Sequence, residues 1–169
     1  MTAPRRGEYA VFGLLTAAVV CALDQASKLW LIFVYELGRR GPVKVLPFLD
    51  LVLTYNTGIS YGWFKQEGPF GQWLLLGIKA TAIALLGWWL VRAQSRVLAL
   101  GLGLIIGGAL GNAVDRLAYG AVADFVLLHI TTEQWSFNWY VFNLADTAIV
   151  AGVAAILYDS LRERAAKAP

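Results

Sequence analysis

The 169-residue chain has one cysteine, Cys21, and one histidine, His129. A single cysteine rules out an internal disulfide framework, and one of each rules out a Cys/His zinc site. Charge is scarce as well: 15% of the residues are Asp, Glu, Lys or Arg, against about 25% in soluble domains. With 59% hydrophobic residues and a mean hydropathy of +0.61, the composition argues against a water-soluble globule. The net charge of +3 is too small to point to nucleic acid as a partner. No repeat, low-complexity tract or linker divides the sequence, so one domain over residues 1–169 is expected. Apolar length and aromatics are plentiful, and seven Trp and seven Tyr suit a protein with membrane interfaces. Chemistry then falls to carboxylates, amides and hydroxyls.

Four stretches reach the ~20 apolar residues that a spanning helix needs, at about 9–35, 73–91, 97–117 and 139–159. The first could be misread as a secretory signal, but its apolar run continues past Asp24 to Val34. Ala18-Val19-Val20-Cys21 resembles a lipoprotein attachment box, yet Val20 stands where a small residue belongs, so a retained helix is expected. With both ends cytoplasmic, the inner side holds Arg5, Arg6, Arg92, Arg96, Arg162, Arg164 and Lys167. The outer side holds Arg39, Arg40, Lys44 and Lys65 in longer segments, so the basic bias predicts N-in, C-in. The outer segments are 36–72 and 118–138. In the first, β-branched residues flanking Pro47 predict two short strands. In the second, the apolar patch Val122 to Ile130 is expected to dip into the interface or cover something. The expected fold is an all-α integral membrane protein of four transmembrane helices, with a small β-rich element between the first two.

Polar residues inside spans cost energy and need a reason. Asp24 and Lys28 are spaced i, i+4 and read first as an intrahelical ion pair, or else as support for a site at that level. Lys79 reads as structural, its stem snorkelling to the outer interface. On the third span Gly103, Gly107 and Gly111 form a stripe that suits close helix packing, with Gly108 on the neighbouring stripe. Packing does not account for Asn112, Asp115 and Arg116 at its outer end. On the fourth span Asn143 and Asp146 are i, i+3 and again near the outer boundary. With Asn56 and Asp124 on the outer segments, these polar sets gather at one depth and predict a site there.

Asp24, Asp115, Asp124 and Asp146 suffice to hold a hard cation, but Lys28 and Arg116 interleaved among them argue against that role. Pairing Ser60 or Ser136 with His129 as a nucleophile would be coincidence, and His129 is expected to face the interface. Two carboxylates in a low-dielectric pocket do not both ionise, so one activates water while the other protonates a leaving group. That is aspartic-protease chemistry, open to this composition without metal or other cofactor. A proton-conducting transporter would string its polar residues across the bilayer, and an assembly subunit has no use for two acidic pockets.

At these residues the sequence closely resembles the lipoprotein signal peptidase (signal peptidase II) family of bacterial intramembrane aspartic peptidases. The resemblance runs from about residue 11 to 160. It rests on four segments: Asp24-Gln25-Ala26-Ser27-Lys28, Tyr55-Asn56-Thr57-Gly58, Gly107 through Arg116 continued by Gly120 through Phe125, and Phe142-Asn143-Leu144-Ala145-Asp146. The chain departs from the family at Ile59-Ser60-Tyr61-Gly62, where Ala-Ala-Phe is common after the Gly, and at Ala123, where Val is common. The resemblance implies Asp124 and Asp146 as the catalytic pair. It implies Asn56, Asn112, Arg116 and Asn143 as substrate and oxyanion support, with Asp24, Lys28 and Asp115 behind them. The implied substrate is a prolipoprotein carrying diacylglyceryl-cysteine, reached within membrane lipid at the outer face of the bacterial cytoplasmic membrane and cut just before that cysteine. It further implies a movable flap near 57–72 and inhibition by cyclic lipopeptides; a monomer is the expected state. Spacing alone leaves Asp115 or Asp124 as partner of Asp146. The apolar neighbours Val122, Ala123, Phe125, Val126 and Leu127 favour Asp124 as the carboxyl that holds a proton, whereas Asn112 and Arg116 are expected to keep Asp115 ionised.

Overall fold

The structure is a computed structural model that describes residues 7–57 and 69–167. Arg5, Arg6, Gly58, the Ile59–Gly62 departure and Lys65 lie outside the described residues, as does most of the expected flap; 69–72 begin a helix. The protein is an all-α membrane protein with a small β-sheet. Its helices are α1 (Glu8–Leu29), α2 (Leu37–Arg40), α3 (Pro69–Leu90), α4 (Arg96–Tyr119) and α5 (Leu144–Lys167). Among the described residues, three helical stretches are long and apolar enough to cross a bilayer: Glu8–Val34, Arg96–Tyr119 and Leu144–Ala166. Within α3, Leu76–Leu90 forms a shorter apolar helix.

Helix α4 is the centre of the bundle, half of its apolar window being buried against 22% for α1 and α5. Its glycines explain why. A side chain at Gly103 or Gly107 would strike the backbone of α1 at Gly13 or Ala17, and one at Gly108 the carbonyl of Ala145 on α5. Small residues on two stripes thus let α4 approach both neighbours at once. Gly111, the outermost of the first stripe, faces Asp24. At the opposite end Ser95 caps α4: its hydroxyl accepts the Leu98 N–H (2.9 Å) and donates to buried Asp159 (2.7 Å) on α5.

Beyond Leu29, α1 continues as a π-helical turn, Trp30–Val34, and Glu36 in the left-handed region (φ 54°) redirects the chain into α2. Leu31, Leu37 and Phe125 then form a small core beneath the sheet. The strands are β1 (Val43–Leu46), β2 (Leu49–Asn56), β3 (Val122–Thr131) and β4 (Ser136–Asn138), antiparallel in the order β1-β2-β3-β4. The first two are the strands expected around Pro47. The sheet is nevertheless not confined to the segment between the first two long helices: half its strands come from 118–138. Val122 to Phe125 are all buried, so they show no in/out alternation, and periodicity does not identify them as a strand.

The last helix also begins later than expected. Residues 139–142 are extended along β3, with Trp139 N–H donating to Leu128 O (2.8 Å) and Phe142 exchanging hydrogen bonds with Val126 (3.0 and 2.8 Å). The aromatic, β-branched run Trp139-Tyr140-Val141-Phe142 suits a pleated surface. Helix α5 therefore starts at Leu144, directly after Asn143.

Candidate active site

Asn143 and Asp146 cap α5 reciprocally. Asp146 N–H donates to Asn143 Oδ1 (3.0 Å), and Asn143 N–H donates to Asp146 Oδ2 (3.3 Å). This is a capping box with Asn and Asp in the usual positions of Ser/Thr and Glu, and it satisfies two donors that a helix start leaves open. Asn143 is fully buried, and its side-chain amide donates to Asp124 Oδ1 at 2.6 Å. One residue therefore holds both carboxylates, Asp146 through its backbone and Asp124 through its side chain.

Asp124 arrives by a different route. Gly120 ends α4 in the left-handed region (φ 74°), a conformation that a side chain disfavours, and turns the chain into β3 across the helix ends. Asp124 is 3% exposed, and Asn56 at the end of β2 donates to its second oxygen, Oδ2, at 3.2 Å. Burial, then the nearby charge of Asp146, push the Asp124 carboxyl up to about 6, against the pull of its Asn56 and Asn143 hydrogen bonds. The apolar flanks of Asp124 had predicted that direction. Asp146 is only half-buried and accepts Asn112 Nδ2 at 2.9 Å.

The orientation of the Asn112 amide is set from the other side. Its Oδ1 accepts from Lys28 Nζ (3.0 Å) and from Asn143 Nδ2 (3.0 Å), which leaves the Nδ2 end to face Asp146. Lys28 itself sits between two buried carboxylates, Asp24 Oδ2 at 2.7 Å and Asp115 Oδ2 at 2.8 Å. The pair Asp24–Lys28 is thus intrahelical, as its spacing indicates, and also part of a network that reaches α4. The other oxygen of Asp24 accepts the Ala145 N–H (3.0 Å), a third open donor at the start of α5. Asp115 accepts Gln25 Nε2 (2.7 Å) and the Ala123 N–H (3.1 Å). Asp115 thus bonds to Lys28, Gln25 and Ala123, and Arg116, expected beside it, lies within electrostatic range.

Every residue singled out for the site falls in or beside this network. Arg116, 7% exposed, lies within electrostatic range of Asp124, Asp146 and Asp115. Lys79 is half-buried on α3 and within electrostatic range of Arg116 and Asp146. Gln25 was missed as a site residue although it lies inside the Asp24–Lys28 segment; it donates to both Asp115 and Gly111 O (3.0 Å). His129 does not pair with Ser136, which lies opposite Thr131, but approaches Asp50. Ser60 lies outside the described residues. Among the described residues no three His, Cys, Asp or Glu side chains converge as metal ligands do. What converges is a buried carboxyl raised towards neutrality beside a more open carboxylate held by two N–H donors, an arrangement able to activate water and donate a proton.

The chain is similar to known proteins over most of its length. Residues 16–162 match the family described as signal peptidase (SPase) II. The chain is 61% identical over 158 residues to the lipoprotein signal peptidase of Nitrobacter hamburgensis, covering 93% of this chain and 96% of that protein. It is 60% identical over 149 residues to that of Rhodopseudomonas palustris strain TIE-1, covering 88% and 91%. It is 55% identical over 150 residues to that of Methylorubrum extorquens, covering 89% and 85%. Two solved structures of a bacterial membrane enzyme share the fold, each at 24% identity. Their TM-scores are 0.76 and 0.71, with 93% and 89% of this chain and 92% of each of those chains covered.

Proposed function

The chain belongs to the signal peptidase II family, and on that footing we propose that Asp124 and Asp146 are its catalytic pair. The protein is a lipoprotein signal peptidase, an aspartic endopeptidase of the bacterial inner membrane that removes signal peptides from prolipoproteins. The observation that carries the assignment is Asn143, which binds both carboxylates.

In the proposed mechanism Asp146 is the base and Asp124 the acid. Asp146 takes a proton from water as the water oxygen attacks the scissile carbonyl, and Asp124 gives its proton to the carbonyl oxygen. As the resulting diol collapses, Asp146 gives its proton to the departing amine and Asp124 takes one back from a diol hydroxyl, which restores both carboxyls. The raised Asp124 suits the group that starts protonated. Asn112, Asn143 and Asn56 use amide donors to hold the two carboxylates. Arg116, within range of both, is the cation suited to the developing oxyanion. Asp24, Lys28 and Asp115 fix the backbone and amides around them.

The substrate we propose carries diacylglyceryl-cysteine and is cut just before that residue, within a single membrane-embedded domain spanning residues 1–169. A lipid-modified substrate diffuses in the bilayer, which suits a carboxylate pair at the helix ends beside the sheet. We read α3 as a fourth span, giving N-in, C-in topology with the site at the periplasmic face. A monomer and inhibition by cyclic lipopeptides belong to the same reading. The test is single-turnover cleavage of a synthetic diacylglyceryl prolipoprotein peptide by purified protein in nanodiscs, with and without chelator. Cleavage before the lipidated cysteine in both conditions is expected; chelator-sensitive cleavage, or cutting elsewhere, overturns the proposal.

A further inference from the structure

The sheet that carries Asp124 has a register problem. Between Leu51 and Thr54, β2 advances three residues while β3 advances two, from Val126 to Asp124, so β2 holds one extra residue. Leu49 pairs with Leu128 and Leu51 with Val126, and Val52, Leu53 and Leu127 are apolar too. Leu51, Leu53 and Val126 pack on the small core of Leu31, Leu37 and Phe125, which favours this register. A one-residue slip would still set Val52 among aliphatic neighbours but would turn Asp50 to that core, so the polar residue adds to what the hydrophobic pattern specifies.

Two polar contacts bracket the bulge. On the near side is Asn56 to Asp124. On the far side His129 Nε2 stands 3.4 Å from Asp50 Oδ1, the side chains 15% and 14% exposed. Among the described residues neither atom has a hydrogen-bond partner. Asp50 lies opposite Leu127, and His129 two residues on shares that face. The same face carries Lys44 opposite Asp50 on β1 and neutral Asn138 opposite His129 on β4. His129 also lines an apolar groove with Phe48, Leu128, Ile130, Phe137 and Trp139.

We propose that Asp50 and His129 form a clasp that fixes the register of β2 on β3 and thereby positions Asp124. This rests on the reading of Asp124 as catalytic. The Nε2–H tautomer and the protonated ring both offer a hydrogen to Asp50. A slip of one residue would put the two side chains on opposite faces, leaving each buried against aliphatic neighbours without the other. It would also carry Asn56 to the face away from Asp124. Asp50 and His129 are positioning residues: they touch neither water nor substrate in the reaction, and act through the strand pairing.

The test uses His129→Leu, Asp50→Leu, the double variant and His129→Gln, in full-length protein in nanodiscs. Each single Leu variant should lower kcat by about 10- to 100-fold, the scale of a misplaced reacting group, with KM unchanged. His129→Gln keeps a donor and should retain most of the rate. The double variant removes both unpaired polar atoms, so its Tm should return to the wild-type value while kcat stays low. Amide exchange over residues 49–56 should be faster in the double variant. Wild-type kcat and exchange in the double variant would overturn the proposal, since aliphatic packing would then set the register unaided. Exchange also decides independently of catalysis: an active Asp124→Asn enzyme would refute the catalytic reading, and faster exchange would still establish the clasp.

Discussion

Asp24 and Asp115 occupy equivalent positions around the two carboxylates proposed for catalysis. Asp24 accepts the N–H of Ala145, the residue before Asp146, and Asp115 accepts the N–H of Ala123, the residue before Asp124. Lys28 bridges both acceptors. Each carboxylate therefore grips the backbone beside a reacting group rather than the group itself, and one cation sets the spacing of the two grips. A buried ion pair adds little net stability, but breaking it by removing one partner is costly, so the arrangement it holds is kept.

Asp124→Asn and Asp146→Asn should each abolish cleavage and leave a folded protein that binds substrate. Single-turnover rates, with helicity and substrate binding measured in parallel, check this. Substantial turnover by Asp124→Asn together with none by folded Asp115→Asn would make Asp115 the partner instead.

The raised Asp124 carboxyl gives both rate and stability a pH dependence of fixed sign. A group whose folded value lies above its unfolded one stabilises the fold below the unfolded value, and that contribution is lost as pH rises through the folded value. For Asp124 the loss falls between about pH 4, the ordinary carboxylate range, and the folded value of about 6. Its size is up to about 3 kcal/mol. Tm in nanodiscs should fall across that window in the wild type and less in Asp124→Asn. The same proton serves catalysis, so kcat/KM should decline above about pH 6.

Lys28→Met should be the most damaging change outside the pair. It leaves Asp24 and Asp115 buried at 0% and 1% exposure without their shared cation, a loss of about 3–5 kcal/mol. It also frees the Asn112 amide to turn away from Asp146. Asp115→Asn should be milder, lowering activity through the Ala123 grip without abolishing it. Denaturant midpoints and kcat of both variants check the order.

A reporter fused after Pro169 should be active only as a cytoplasmic reporter, because the basic residues concentrate at that end and around Arg92 and Arg96. Periplasmic activity would invert the topology and the placement of the site.

Composition and periodicity were enough to identify apolar helices and to gather the polar residues at one depth. The energetic cause is local: a charge in a spanning helix is costly wherever the rest of the chain lies. The strands around Pro47 were legible for a similar reason, since β-branched residues flank a turn. Strand β3 and the late start of α5 were not. Val122 to Phe125 are buried and show no alternation, and Trp139 to Phe142 are extended because β3 lies beside them. An Asn three residues before an Asp is a visible cap signal for α5, but only the neighbouring strand decides that the preceding aromatics stay out of the helix. The grip of Asp24 on Ala145 spans 121 residues, and that of Gln25 on Asp115 spans 90. No local pattern carries such contacts. They exist because two glycine stripes let α4 close on α1 and α5 together, and only that packing brings the ends of three helices and two strands to the same point.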